Sequence, residues 1–289
     1  MKKTIVLFSV LAITSSVSLL SAQGIRCSYH SMSKTDPSNE SFYTVPDMRL
    51  DFCDGRTVWY SESKFLRDSL KHLAFNESGN IVNQEIYAQM VRMNSLSLDA
   101  TTVDLSSHTF MQHYAHGTMV LNGLGNLALP QWETSGKERD YRGYRCHEAT
   151  AFYLGRQWTI WYCEDLPFQV GPWLLWGAPG LIVEARDSDN LFIFELEGME
   201  MMSESNFRFE QVRAFYVEPR NKHRRNRHII DDLRTIELTN AKMRTDAGFY
   251  SQMKNHSSKP PRMVDSDGNE MDVSRFFQYI PLIPTDYWK

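Results

Sequence analysis

Histidines and acids come first, because correctly paired they move protons or hold metals. His147-Glu148-Ala149-Thr150-Ala151 begins like a zinc-protease motif, but alanine occupies position 151 where the second histidine must stand. That motif also needs a helix to bring its ligands to one face, and this segment reads as a strand. His108, His113 and His116 lie close together, yet in a strand His113 and His116 point to opposite faces, and no carboxylate or cysteine partner sits at ligand spacing. The expectation is surface histidines, with no metal and no cofactor. No Gly-x-Ser-x-Gly, P-loop or dinucleotide fingerprint occurs, so no catalytic residue can be assigned from a motif.

Aromatic residues offer a second kind of chemistry. Four of the seven tryptophans fall between 158 and 176. Trp161, beside Trp173 and Trp176, could form a groove for an apolar or peptide ligand; the competing reading is packing beneath a loop. The run Arg220 to His228 is the strong charge block. It could meet lipid phosphates or an acidic partner, or stand as a solvated loop before a helix opened by Asp231 and Asp232.

Those residues need a scaffold. Residues 1–22 read as an export signal: Lys2 and Lys3, an apolar run from Thr4 to Leu20, then Ser21 and Ala22. Cleavage there removes two lysines and takes the net charge from −4 to −6. That balance argues against nucleic acid and acidic lipid as partners. No second long apolar run follows, so an integral membrane protein is not expected, and the location implied is periplasmic or secreted. Residues 23–218 read as a β-rich domain, and 219–289 as a basic loop, a helix and an irregular end packed on it.

Asp54-Gly55 signals a tight hairpin, and Ser63 to Ala74 has helical spacing behind a serine cap. Glu85 to Met93 suggests a second helix. From Thr109 to Glu200 strands alternate with turns as in an antiparallel meander, Phe207 to Glu218 reads as a further strand, and Asp231 to Met253 as a helix. If Leu154-Gly155 is a two-residue hairpin loop, opposed residue numbers sum to 309 and Cys146 faces Cys163. This is a non-hydrogen-bonded position with Cα atoms about 4.5 Å apart, within disulfide range. Cys27 with Cys53 follows by elimination, against the alternative of free buried thiols. Pro179-Gly180 read as the centre of a type II turn, with Gly180 at positive φ and Gly177 adding freedom before it, leading into a half-buried strand from Leu181.

The stretch Gly171-Pro172-Trp173-Leu174-Leu175-Trp176-Gly177-Ala178-Pro179-Gly180-Leu181-Ile182-Val183-Glu184 resembles the signature of the GLPGLI proteins, in which a Gly-Pro-aromatic step leads into Gly-Leu-Pro-Gly-Leu-Ile and a strand. The resemblance extends upstream through Gly143 to Thr150, Gly155 to Tyr162 and Asp165-Leu166-Pro167. The family has leucine where Ala178 stands, a departure that leaves the turn chemistry intact. The resemblance implies an exported protein of the Gram-negative envelope whose role is not established. Relatives are often encoded beside outer-membrane transport barrels, so such a barrel or its peptide cargo is the implied partner.

The fold expected is α+β, mainly antiparallel: a curved open sheet or half-barrel with a few helices on one side. The function expected is non-enzymatic binding or accessory work in the envelope. The alternative is a secreted hydrolase without a recognisable motif.

Overall fold

The structure, a computed structural model, describes residues 23–34, 41–76, 78–93, 99–116, 119–217, 227–255, 271 and 279–288. The export signal at 1–22 and most of the basic run, residues 220–226, lie outside the described residues. In chain order the elements are β1 (Gln23–Ser33), β2 (Tyr43–Cys53), β3 (Arg56–Ser61), α1 (Glu62–Ala74), α2 (Gln84–Arg92), β4 (Ala100–Asp104), β5 (Thr109–His116) and β6 (Met119–Asn126). There follow β7 (Glu133–Tyr141), β8 (Tyr144–Tyr153), β9 (Arg156–Cys163), β10 (Leu181–Asp187), β11 (Phe192–Ser203), α3 (Phe209–Val217), β12 (Arg227–Asp232), α4 (Leu233–Thr245) and α5 (Ala247–Asn255).

The strands form one open sheet in the order β12-β6-β5-β4-β3-β2-β1-β11-β10-β9-β8-β7. It is antiparallel except where β12 lies parallel to β6, so the α+β, mainly antiparallel expectation holds. Tight hairpins set the registers. Asp54-Gly55, Arg142-Gly143 and Leu154-Gly155 all have positive φ at both residues, the backbone of a type I′ turn. Two meanders result, β1 to β6 and β7 to β11, and they meet where β1 pairs with β11.

The sheet is strongly curved. From β6 to β7 the strand order crosses ten spacings, about 48 Å if the sheet were flat, whereas the connection from Asn126 to Glu133 reaches about 24 Å at full extension. The concave interior is filled by residues 164–180, the segment between β9 and β10. Leu166, Val170, Trp173, Leu174, Leu175 and Ala178 are all buried there. A buried loop must satisfy its own backbone. Here Leu181 N–H donates to Leu166 O (2.9 Å), Ile182 N–H to Val170 O (3.0 Å) and Gly177 N–H to Gln169 O (2.9 Å).

Cys146 and Cys163 are opposed on β8 and β9 and form a disulfide, with Cα atoms 4.2 Å apart. Its loop spans 17 residues. Reduction is expected to lower stability by roughly 3 kcal/mol in the chain-entropy account. Urea unfolding with and without reductant measures this, and an unchanged midpoint would count against it. The eliminated pair does not bond: Cys27 and Cys53 are free and buried. Strand parity explains why. Cys27 faces Leu50 across the β1–β2 ladder, so Cys53, three residues from Leu50, points through the opposite side of the sheet.

Other expectations need correction. The cap of α1 is Ser61, whose side chain accepts from Lys64 N–H, not Ser63. The segment read as a strand from Phe207 is α3, because Phe209, Val212 and Tyr216 sit at helical spacing and are buried together. The long helix read from Asp231 is instead the end of β12, then α4 capped by Asp232, then α5. The helices also occupy both faces of the sheet. Tyr216 of α3 stacks on His113, with ring centroids 4.9 Å apart, while Glu237 of α4 bonds the adjacent residue Tyr114. Neighbours on a strand point opposite ways. Phe65 of α1 packs on Phe215 of α3 (5.6 Å), which puts α1 with α3.

Gly180 is not at positive φ, so Pro179-Gly180 is not a type II turn. Gly177 takes that conformation, at φ 79°. Gly180 is glycine for space: a Cβ there would lie 2.1 Å from the carbonyl oxygen of Cys163.

Candidate functional site

Between the concave face of the sheet, the interior segment, α4 and the C-terminal residues lies a cavity of about 430 Å³. Its apolar part is aromatic. Trp59 of β3 meets Phe194 of β11 edge-on at 5.8 Å, and Trp158 links Phe194 and Trp173, each at 6.1 Å. Val45, Met48 and Phe192 complete this floor.

The opposite wall is polar because β5 places Gln112, Tyr114 and His116, two apart, on one face. Gln112 Oε1 accepts from Thr101 Oγ1 (2.7 Å) and from Trp173 Nε1 (3.1 Å), tying the interior segment to the sheet. Tyr114 donates its hydroxyl to Glu237 Oε1. Glu237 is 2% exposed, and its second oxygen has no hydrogen-bond partner among the described residues. Burial raises its pKa to about 7, more than Tyr114 and Arg244 lower it.

Arg244 of α4 donates through Nη2 to both oxygens of Asp99, at 2.7 and 2.8 Å, and through Nε to Asn240 Oδ1 at 3.1 Å. Its guanidinium lies 4.6 Å from the centre of the Tyr279 ring. Asn240 Oδ1 also pairs with His116 Nε2 at 2.9 Å. Arginine can only donate, which fixes the amide oxygen on that side; His116 must therefore carry its proton on Nε2, leaving Nδ1 as an acceptor. Burial, and then Arg244, lower the His116 pKa and hold the ring neutral. Asn240 Nδ2 donates to the Tyr279 hydroxyl at 3.2 Å.

Tyr279, Ile280 and Leu282 close one side of the cavity. This C-terminal strap is held by Arg156, which donates to Leu282 O (2.7 Å), Pro281 O (2.6 Å) and Asp187 Oδ2 (2.8 Å).

The three tryptophans singled out from the sequence do not build one groove. Trp173 is buried and lines the cavity. Trp161, three residues from Trp158 on β9, points through the other face, under the guanidinium of Arg139 at 4.2 Å. Trp176 donates to Ala128 O (3.1 Å), and its own carbonyl accepts from Trp132 Nε1 (2.8 Å). The crevice between Trp173 and Trp176 holds about 10 Å³, room for one water at most.

His113 and His116 are not surface residues. His113 is fully buried between Asn122 Oδ1 (2.7 Å from Nδ1) and Thr102 Oγ1 (3.0 Å from Nε2), and His116 is 9% exposed. Only His108 of the three is exposed, in the turn before β5. Asp99, Glu237, Asn240, Arg244 and Tyr279 went unrecognised in the sequence. One signal was present: polar residues at 237, 240 and 244 follow the same three-and-four spacing as the buried Ile236 and Met243 beside them.

No protein-family model matches the chain, and no curated protein matches it significantly. Among solved structures it is similar to PNGF-II in the P21 space group, 13% identical over 63% of this chain and 29% of that one, with a TM-score of 0.41. For PNGF-II in the C2 space group the values are 12%, 75%, 32% and 0.45. The chain thus spans under a third of PNGF-II, and at this distance the likeness carries no argument about function.

Proposed function

We propose that this is an exported binding protein of the cell envelope, non-enzymatic, whose ligand is a small molecule held in the 430 Å³ cavity. The observation that carries the reading is the cavity's make-up: a preformed aromatic floor facing a few fixed polar groups, the usual form of a small-ligand site. Export is supported by the apolar leader in the sequence and by the disulfide, which suits an oxidising compartment. Membership of the GLPGLI family rests on the 171–184 signature, and association with an outer-membrane barrel rests on that membership.

A secreted hydrolase receives less support. His116 is tied to the Asn240 amide rather than to a carboxylate, and Glu237 is engaged by Tyr114 behind the wall. Ser31→Trp, which plugs the cavity from β1, provides the test. Thermal-shift screening of the mature protein against envelope small-molecule fractions should give stabilisation that Ser31→Trp abolishes without lowering its own melting temperature. Equal stabilisation of both proteins would place binding elsewhere.

A further inference from the structure

We propose that the cavity recognises an uncharged, hydroxyl-bearing ligand of the sugar or polyol class. The proposal rests on the cavity being the binding site. Three groups on its polar wall have hydrogen-bonding capacity left over. Arg244 has Nη1, which makes no hydrogen bond among the described residues; the Tyr279 hydroxyl accepts from Asn240 and keeps its own hydrogen to donate; His116 has the bare Nδ1. Two of these donate and one accepts.

Charge narrows the choice. Asp99 and Arg244 already neutralise each other through two short hydrogen bonds, and the other charged lining residue, Lys34, holds its ammonium over the Phe42 ring, 5.1 Å from its centre. A carboxylate can only accept, so it would satisfy Arg244 and Tyr279 but press a lone pair against His116 Nδ1 and a negative charge against Asp99. An ammonium can only donate, and it would sit against Arg244. Leaving a desolvated polar group unpaired is costly. A hydroxyl both accepts and donates, so adjacent hydroxyls match the mixed set. The rings of Trp59, Phe194 and Trp173 offer the C–H side of a sugar ring an apolar surface. Sites for small ligands run from about 300 to 1,000 Å³, so a volume near 430 Å³ suits one or two such rings.

The test is calorimetric titration of the mature full chain with glucose, mannose, galactose and N-acetylglucosamine, set against glucuronate and glucosamine. Benzamide and the uncharged fluorophore N-phenyl-1-naphthylamine serve as controls. At least one neutral sugar should bind, at least tenfold more tightly than the charged rings. Tyr279→Phe, which removes one hydroxyl from the strap, should weaken it about fivefold, and His116→Phe more. Should His116→Phe fail to fold, Tyr279→Phe still decides the point. Equal binding of glucuronate, or sugar binding unmoved by Tyr279→Phe, overturns the ligand class. Binding of benzamide or the fluorophore without any sugar also overturns it, while leaving the cavity as a binding site. If none of these probes binds, both readings fall.

Discussion

Gly180→Ala is expected to cost at least ~3 kcal/mol, enough to deplete the folded protein, although it adds a single methyl group. That methyl would sit 2.1 Å from Cys163 O, 2.5 Å from its carbonyl carbon and 2.9 Å from Glu164 Cα. All three are backbone atoms, so no side-chain rotation relieves the clash. Cys163 is further pinned by its disulfide and by pairing with Leu181. Gly177→Ala is the control. Its positive φ costs alanine about 1 kcal/mol, and the atom its methyl meets at 2.6 Å is the end of the exposed Leu129 side chain, which can move. Ala178→Leu belongs between them, since Ala178 is fully buried and a larger side chain overpacks the interior. Denaturant midpoints of the three variants check the order. Equal losses at 177 and 180 would mean that backbone conformation, and not close approach, dictates the glycine.

The second large effect concerns Glu237. Its carboxyl usually titrates near 4.5, and burial raises it to about 7. A folded-state pKa above the unfolded one means the fold favours the neutral form. The stabilisation is complete below about pH 4.5 and disappears as pH rises through about 7, a change of about 3 kcal/mol. His113 and His116 act in the opposite sense. Burial lowers His113 to about 4 and also lowers His116, so their contribution is lost as pH falls through the region below 6.5. The wild-type profile therefore mixes both trends, and comparison with Glu237→Gln isolates the carboxyl. The variant should gain on the wild type by up to about 3 kcal/mol between pH 5 and pH 8, read from urea unfolding at each pH. Parallel profiles would show that Glu237 is ionised in the folded state throughout.

What the sequence made legible was local. Leu154-Gly155 determined a register, and the register placed Cys146 against Cys163 without reference to anything distant. Gly180 shows the limit of such reading. Glycine is required both where φ is positive and where another chain segment passes within contact, and neighbouring residues distinguish the first case only. Phe207 to Glu218 was misread because a short aromatic-rich run suits either period, and the pairing of Tyr216 with His113 decides it from a hundred residues away. The cavity was less visible still. Asp99, Arg244 and Tyr279 come from three separate parts of the chain, and nothing short of the sheet's curvature brings them together. Trp173 was found because it belongs to the glycine- and proline-rich segment that fills the interior. Trp161 shared its neighbourhood in sequence but not its side of the sheet.

The seam between the two meanders has a temporal side. Gln23 pairs with Ser203 and Ser33 with Phe192. During synthesis β1 is made before β11 and finds β2 quickly, but its other edge stays bare until roughly 160 more residues have followed. A bare edge invites pairing with a second copy of the chain, and contacts this remote in sequence form slowly. Refolding from denaturant should therefore grow less efficient as protein concentration rises, with losses starting at the bare edge of β1.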